Sequence, residues 1–126
     1  MKSIELLAPA KDLQAAVAAV DYGADALYIG GARFGARHAA GNSAEEIARA
    51  VEYAHQYGVR VHATLNTLLY DGELAEAERQ ARELIAAGVD ALIVADLGAF
   101  TLAGKYAPRC ERHISTQQSI ANYVCA

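Results

Sequence analysis

Tyr22-Gly23-Ala24-Asp25-Ala26-Leu27-Tyr28-Ile29 is answered later in the chain by Ala87-Gly88-Val89-Asp90-Ala91-Leu92-Ile93-Val94. A looser copy, Tyr57-Gly58-Val59-Arg60-Val61-His62-Ala63-Thr64, stands between them. In each copy a helical stretch stops at a glycine, the residue that closes helices most readily, and an apolar β run starts at once. The copies begin 35 and 30 residues apart, the length of one strand-plus-helix unit. Repetition of that unit predicts a parallel α/β architecture, and in such folds the chemistry sits on the loops that follow the strands.

The remaining elements are laid out around these copies. Ile4–Ala8 reads as a first strand closed by Pro9, and Asp12 caps a helix to Tyr22 with Leu13, Val17 and Val20 on one stripe. Ala26–Ile29 is a second strand, followed by a long loop from Gly30 to Asn42. Ser43 with Glu46 three residues on is a capping box for a helix that turns Ile47, Val51 and Ala54 inward. Val59–Leu65 is a third strand, and after the loop Asn66–Gly72 a helix covers Glu73–Ala87 with its Glu and Arg residues on a solvated face. Ala91–Ala95 is a fourth strand. Asp96 caps a short helix through Tyr106, which Pro108 keeps from continuing. Arg112–Ser115 is a fifth strand, and Gln117 onward reads as the next helix.

Near-continuous apolar strands call for a sheet buried on both faces, joined by right-handed crossovers. A (β/α) barrel and an open, flavodoxin-like doubly wound sheet both satisfy this, and the evenness of the units favours the barrel. A complete barrel takes about 250 residues. The expected fold class is therefore α/β, with parallel (β/α) units forming the first half to five-eighths of a TIM-type barrel in a single domain over residues 1–126. Ser119–Ala126 lacks a stop signal and reads as a helix cut in mid-course, so truncation at the C-terminus is expected. A chain of this extent is expected to cover its open sheet edge by forming a homo-oligomer.

Composition narrows the function classes. With 54% apolar and 21% charged residues the chain is an ordinary globular domain. A net charge of −4 and a pI of about 5.5 argue against strong non-specific nucleic-acid binding by the segment as a whole, though not against a local basic patch. No apolar run approaches a membrane span and the N-terminus lacks a signal-peptide layout, so a cytoplasmic location is expected, with no membrane partner. Cys110 and Cys125 have no Cys-x-x-Cys spacing and read as plain small hydrophobes or surface thiols, with no cofactor or metal site within the chain.

Polar groups gather just past the strands. The second loop holds Gly30, Gly31 and Gly35 together with Arg33, Arg37 and His38. It is either a surface loop with solvated arginines or a site for a carboxylate or phosphate, which an Arg fork matches. Its spacing is not a dinucleotide fingerprint or a P-loop. Asn42, Asn66-Thr67, Asp96 and Ser115-Thr116-Gln117-Gln118 complete the set. His113 and Ser115 point to one face of their strand, so a hydrogen-bonded pair is conceivable, but a peptidase nucleophile also needs an oxyanion donor pair. His62 within a strand and His55 on a helix lack metal partners at a useful spacing and read as core and surface histidines.

Several stretches resemble a known family. They are Glu5-Leu6-Leu7-Ala8-Pro9-Ala10, the run from Tyr22 to Gly31, Phe34-Gly35-Ala36-Arg37, Asn42, Asn66-Thr67, Gly88 to Asp96, and His113-Ile114-Ser115-Thr116-Gln117. Together they resemble the opening of peptidase family U32, the collagenase-like proteases. The resemblance implies a barrel-like N-terminal region and two candidate activities: peptide hydrolysis, or hydroxylation of transfer or ribosomal RNA bases or of quinone precursors with prephenate as oxygen source. In the hydroxylating members it implies an iron–sulfur cluster held by cysteines mostly beyond this stretch, and Cys110 and Cys125 do not reproduce that spacing.

The expectations are then these. A U32-type peptidase region, inactive as an isolated fragment, would have Ser115, His113 and Asn66 as candidate catalytic residues. Arg33, Arg37, Asn42, Asn66, Thr67, Thr116 and Gln117 would bind a peptide, an RNA or a small anionic substrate. The alternatives are part of an iron–sulfur, prephenate-dependent hydroxylase, the cluster lying in a longer parent, and an anionic small-molecule binding module. The absence of a metal triad, a nucleophile elbow or paired carboxylates favours the non-peptidase chemistry.

Overall fold

A computed structural model describes residues 4–36 and 41–126. Three of the four described helices start on a side-chain cap. Asp12 accepts from the Ala15 N–H ahead of α1 (Leu13–Asp21), and Ser43 and Glu46 form the reciprocal box ahead of α2 (Ala44–Gln56). A 3₁₀ turn, Asp71–Glu73, leads into α3 (Leu74–Ala86), and Asp96 accepts from the Ala99 N–H ahead of α4 (Leu97–Tyr106). The glycines of the three copies, Gly23, Gly58 and Gly88, have φ of 92°, 72° and 95°, the left-handed region that ends a helix and favours glycine.

The strands β1 (Leu7–Ala10), β2 (Ala26–Gly30), β3 (Arg60–Leu65), β4 (Ala91–Val94) and β5 (Glu111–Ile114) form one all-parallel sheet in the order β1-β2-β3-β4-β5. The order follows the chain without the reversal of a doubly wound sheet, so the flavodoxin-like alternative does not hold for these strands. Alternate residues serve opposite faces. Leu27, Ile29, Val61, Ala63, Leu65, Leu92 and Val94 form the core with Ala16, Ile47, Ala50, Ala81 and Leu84 of the helices. The other face carries Tyr28, Arg60, His62, Thr64, Glu111 and His113.

Register is set where the helices return to the sheet. The Asp25 N–H donates to the Leu6 carbonyl at 3.0 Å, and the Leu6 N–H donates to the Asp25 carboxylate at 2.8 Å. Asp90 repeats this on Val61 at 2.8 and 2.7 Å. The carbonyls of Asp25 and Asp90 then accept from Arg60 and Glu111, the first residues of β3 and β5. Each aspartate thus ties its own return to the strand before and the strand after.

Two expectations need correction. The first strand is Leu7–Ala10 rather than Ile4–Ala8: Ile4 is 95% exposed, and Pro9 is accommodated within β1, which among the described strands pairs only with β2. The segment from Gln117 is not a helix. Thr116–Gln118 is a 3₁₀ turn ended by Ser119 at φ 58°, and no helix forms over 119–126. Ile120, Tyr123 and Val124 are exposed there, and a short helix without a packing partner does not offset its nucleation cost.

Asp90→Ala removes the acceptor for the Val61 N–H and is expected to cost about 1–3 kcal/mol in urea unfolding. Asp90 also meets His55 Nε2 at 2.9 Å on the surface, so His55→Ala is expected to cost under about 1 kcal/mol. Equal losses in the two variants would show that the surface pair, not the backbone clamp, is what matters.

Candidate functional site

The sheet face turned away from the helices borders an open hollow of about 500 Å³. Leu7, Pro9, Tyr28, Gly30, Thr64, Ile93 and His113 line it from the five strands. Lys11, Ala36, Asn66, Ser115, Thr116 and Gln117 line it from the segments just past them. The position, at the C-terminal strand ends, is where parallel α/β folds place their sites.

Asn66 joins three loops at this rim. Its Oδ1 accepts from the Ala36 N–H at 2.9 Å, and its Nδ2 donates to Ser115 Oγ at 3.2 Å. Ser115, buried, also accepts from the Gln117 N–H at 3.2 Å. Among the described residues no hydrogen bond joins His113 to Ser115. Instead His113 Nε2 meets the Glu111 carboxylate at 3.0 Å.

Glu111 also takes Arg60 Nη2 at 2.7 Å, and Arg60 Nη1 lies 3.8 Å from Glu5. These charges occupy the N-terminal ends of the strands on the same face. The Arg60 guanidinium, with help from His113, holds the Glu111 carboxyl below its ordinary range. His62 packs edge-on against His113, ring centroids 4.7 Å apart at 88°. Burial, reinforced by His113, holds the His62 ring below the ordinary imidazole range and therefore neutral near pH 7.

The expected binding residues divide. Asn66, Thr116 and Gln117 border the hollow, as do Ser115 and His113. Arg33 is turned to α3, its guanidinium paired with Glu76 and set over the Phe34 ring. Asn42 is buried and donates to the carbonyls of Lys11 and Gly30 at 2.9 and 2.8 Å, tying the ends of β1 and β2. Thr67 donates its N–H to the Phe34 carbonyl and does not line the hollow. Arg37 and His38 lie outside the described residues.

Gln80, Lys11 and Tyr28 were not anticipated. The Gln80 amide takes both the N–H and the carbonyl of Arg33, and a Cβ on Gly31 would stand 2.8 Å from Gln80 Nε2. That contact explains the glycine: the loop backbone lies directly on a side chain of α3. The sequence signal was a lone amide among Ala77, Ala81 and Leu84 on the buried face of α3. Lys11, exposed, brings a cation to the rim.

Among the described residues no group of three metal-ligating side chains is present. Cys110 sits half-buried before β5 with Sγ 3.8 Å from the Asp90 carbonyl, and burial pushes its thiol up; Cys125 is exposed. This donor set does not fit an iron–sulfur cluster. No described helix is long and apolar enough to cross a membrane.

The sequence profile of peptidase family U32 matches residues 11–126. The 23S rRNA 5-hydroxycytidine synthase of Escherichia coli (strain K12) is 50% identical over 117 residues, covering 93% of this chain and 18% of that protein. The tRNA hydroxylation protein P1 of Bacillus subtilis (strain 168) is 42% identical over 123 residues, 97% of this chain and 29% of that protein. A collagenase of Porphyromonas gingivalis is 30% identical over 124 residues, 97% of this chain and 30% of that protein. The chain thus spans less than a third of the length of each.

The folded-state pKa of Glu111 lies below its unfolded value. Its ion pair therefore stabilises the fold above the unfolded range, about pH 4.3, and that stability is lost as pH falls through the lower folded value. Glu111→Gln is expected to lower stability at neutral pH and flatten the acid side of the stability-against-pH curve. A variant curve parallel to wild type throughout would contradict the Arg60–Glu111 assignment.

Proposed function

The chain belongs to peptidase family U32, and from that premise we propose that its hollow face forms part of the substrate site of an RNA-base hydroxylation protein rather than of a peptidase. The observation that carries this reading is the state of Ser115. Its oxygen accepts from Asn66 and from the Gln117 N–H. A serine nucleophile needs a base within hydrogen-bond reach to take its proton, and among the described residues no hydrogen bond joins Ser115 to His113 or to any other base. The rim offers amide and hydroxyl groups, the donors and acceptors that read the edge of an unpaired base. The relatives at 50% and 42% identity carry hydroxylation names, while one with a protease name stands at 38% and the collagenase at 30%, which supports the same reading.

In this reading Asn66, Ser115, Thr116 and Gln117 bind and orient the base, while Gln80 and Asn42 hold the loops that frame it. Arg33 and Thr67 serve the loop rather than the substrate. The five parallel strands belong to a (β/α) barrel completed by further strands of a longer protein. A redox centre, including the iron–sulfur cluster of the hydroxylating members, would come from outside the residues described. A cytoplasmic location, with an RNA partner, is part of the same proposal.

Nucleosides from ribosomal and transfer RNA, compared by mass spectrometry between cells with and without the natural gene, test this. The expected result is loss of a nucleoside heavier than its parent by one oxygen atom, restored by wild type and largely not by Asn66→Ala. Unchanged nucleosides, together with Ser115-dependent cleavage of a collagen peptide by the purified protein, would overturn it.

A further inference from the structure

His62 is the anomalous residue of the described core. It is 1% exposed, and neither ring nitrogen has a hydrogen-bond partner among the described residues. Buried polar groups are normally satisfied, and a bare one costs stability that an aliphatic side chain would not. Packing does not demand an imidazole here. The position lies in the central strand of the described sheet, on the hollow face between Arg60 and Thr64. Of two adjoining rings, His113 is anchored through Glu111 and lines the hollow, while His62 stands directly behind it with both nitrogens unused.

The surroundings define what could use those nitrogens. Tyr28, the register partner of His62 in β2, lines the hollow, as does Ile93. These two with His113 make a floor of two rings and one aliphatic side chain, a surface on which a planar ring stacks. A neutral imidazole offers one donor and one acceptor, which suits a neutral ring edge and offers no charge to an ion. A volume of about 500 Å³ admits a base with its sugar.

We propose that His62 is a ligand-binding residue of the hollow, hydrogen-bonding the amide or amino edge of a planar uncharged ring, of the kind a pyrimidine base presents, stacked against Tyr28 and Ile93. The assignment rests on the RNA-base reading above. Binding turns the His113 ring aside to uncover His62, a rotamer change of the sort common at binding surfaces. His62 is then kept for recognition at the expense of packing, and the two properties separate on substitution.

The test uses the natural full-length protein, as wild type, His62→Leu and His62→Gln. Thermal unfolding is measured together with binding of cytidine 5′-monophosphate, of a single-stranded RNA with one unpaired cytidine, and of a collagen-like peptide. His62→Leu is expected to unfold at the same or a higher temperature and to bind RNA at least about tenfold more weakly, the worth of one hydrogen bond. His62→Gln is expected to recover part of the loss. Whether the free nucleotide behaves likewise tells whether the base alone or the base within RNA is the ligand; weakening of either supports the assignment. His62→Leu that binds as wild type overturns it, whatever its stability. Should His62→Leu fail to fold, the imidazole nitrogen resonances of wild type decide: His62 signals shift on binding, and binding without a shift overturns the assignment while sparing the RNA reading. Wild type that binds the peptide and neither nucleotide ligand overturns both.

Discussion

The architecture depends on one repeated constraint, an aspartate that grips the sheet as each helix returns to it. At Asp25 and Asp90 the carboxylate and the backbone N–H close a two-bond ring with a residue of the preceding strand, and the carbonyl reaches the strand that follows. The glycine two positions earlier takes the left-handed turn that makes the approach possible. A one-residue slip in a parallel sheet would exchange its two faces. The clamp excludes that slip, and so it decides which side chains meet the helices and which line the hollow.

With register fixed, the far end of the sheet is assembled by amides. Asn66 joins the segments after β2, β3 and β5, Asn42 joins the ends of β1 and β2, and Gln80 holds the loop that starts at Gly31 from behind. Each is a short neutral side chain with a donor and an acceptor. These three ties are made by neutral groups, while Lys11 brings a cation to the rim and Arg33 pairs with Glu76 on α3. The charged residues Glu5, Arg60 and Glu111 lie at the opposite end of the same face. The division resembles that of parallel α/β enzymes generally, with stability served where strands begin and chemistry where they finish.

Sequence patterns foretold the elements well because helix caps and closing glycines are local devices. Asp12, Ser43 with Glu46, and Asp96 all cap as their spacing implied. The failures are non-local. Pro9 looked like a terminator because nothing in the chain announces that β1, among the described strands, pairs only with β2. Residues 119–126 looked helical because their exposure, for want of a packing partner, is invisible in the residues themselves. The positions of Asn66 and Ser115 at the strand ends, where both border the hollow, were legible. The pairing of Arg33 with Glu76 was not, because the two are distant in sequence, and Gln80 was missed because helix periodicity treats a buried amide as noise. His62 was legible as buried and illegible as unsatisfied, since satisfaction is a property of neighbours.

On the proposed reading, a clamped sheet, an amide-built rim and a ring-lined floor form a pocket for a neutral planar group. The most direct measurement of that account is photo-crosslinking of the natural full-length protein to an RNA that carries a photoreactive unpaired pyrimidine, with the attached peptides identified by mass spectrometry. The account predicts attachment to the peptides that carry Tyr28 and residues 113–117, which line the hollow. Attachment confined to α2 and α3 on the opposite side of the sheet would contradict it.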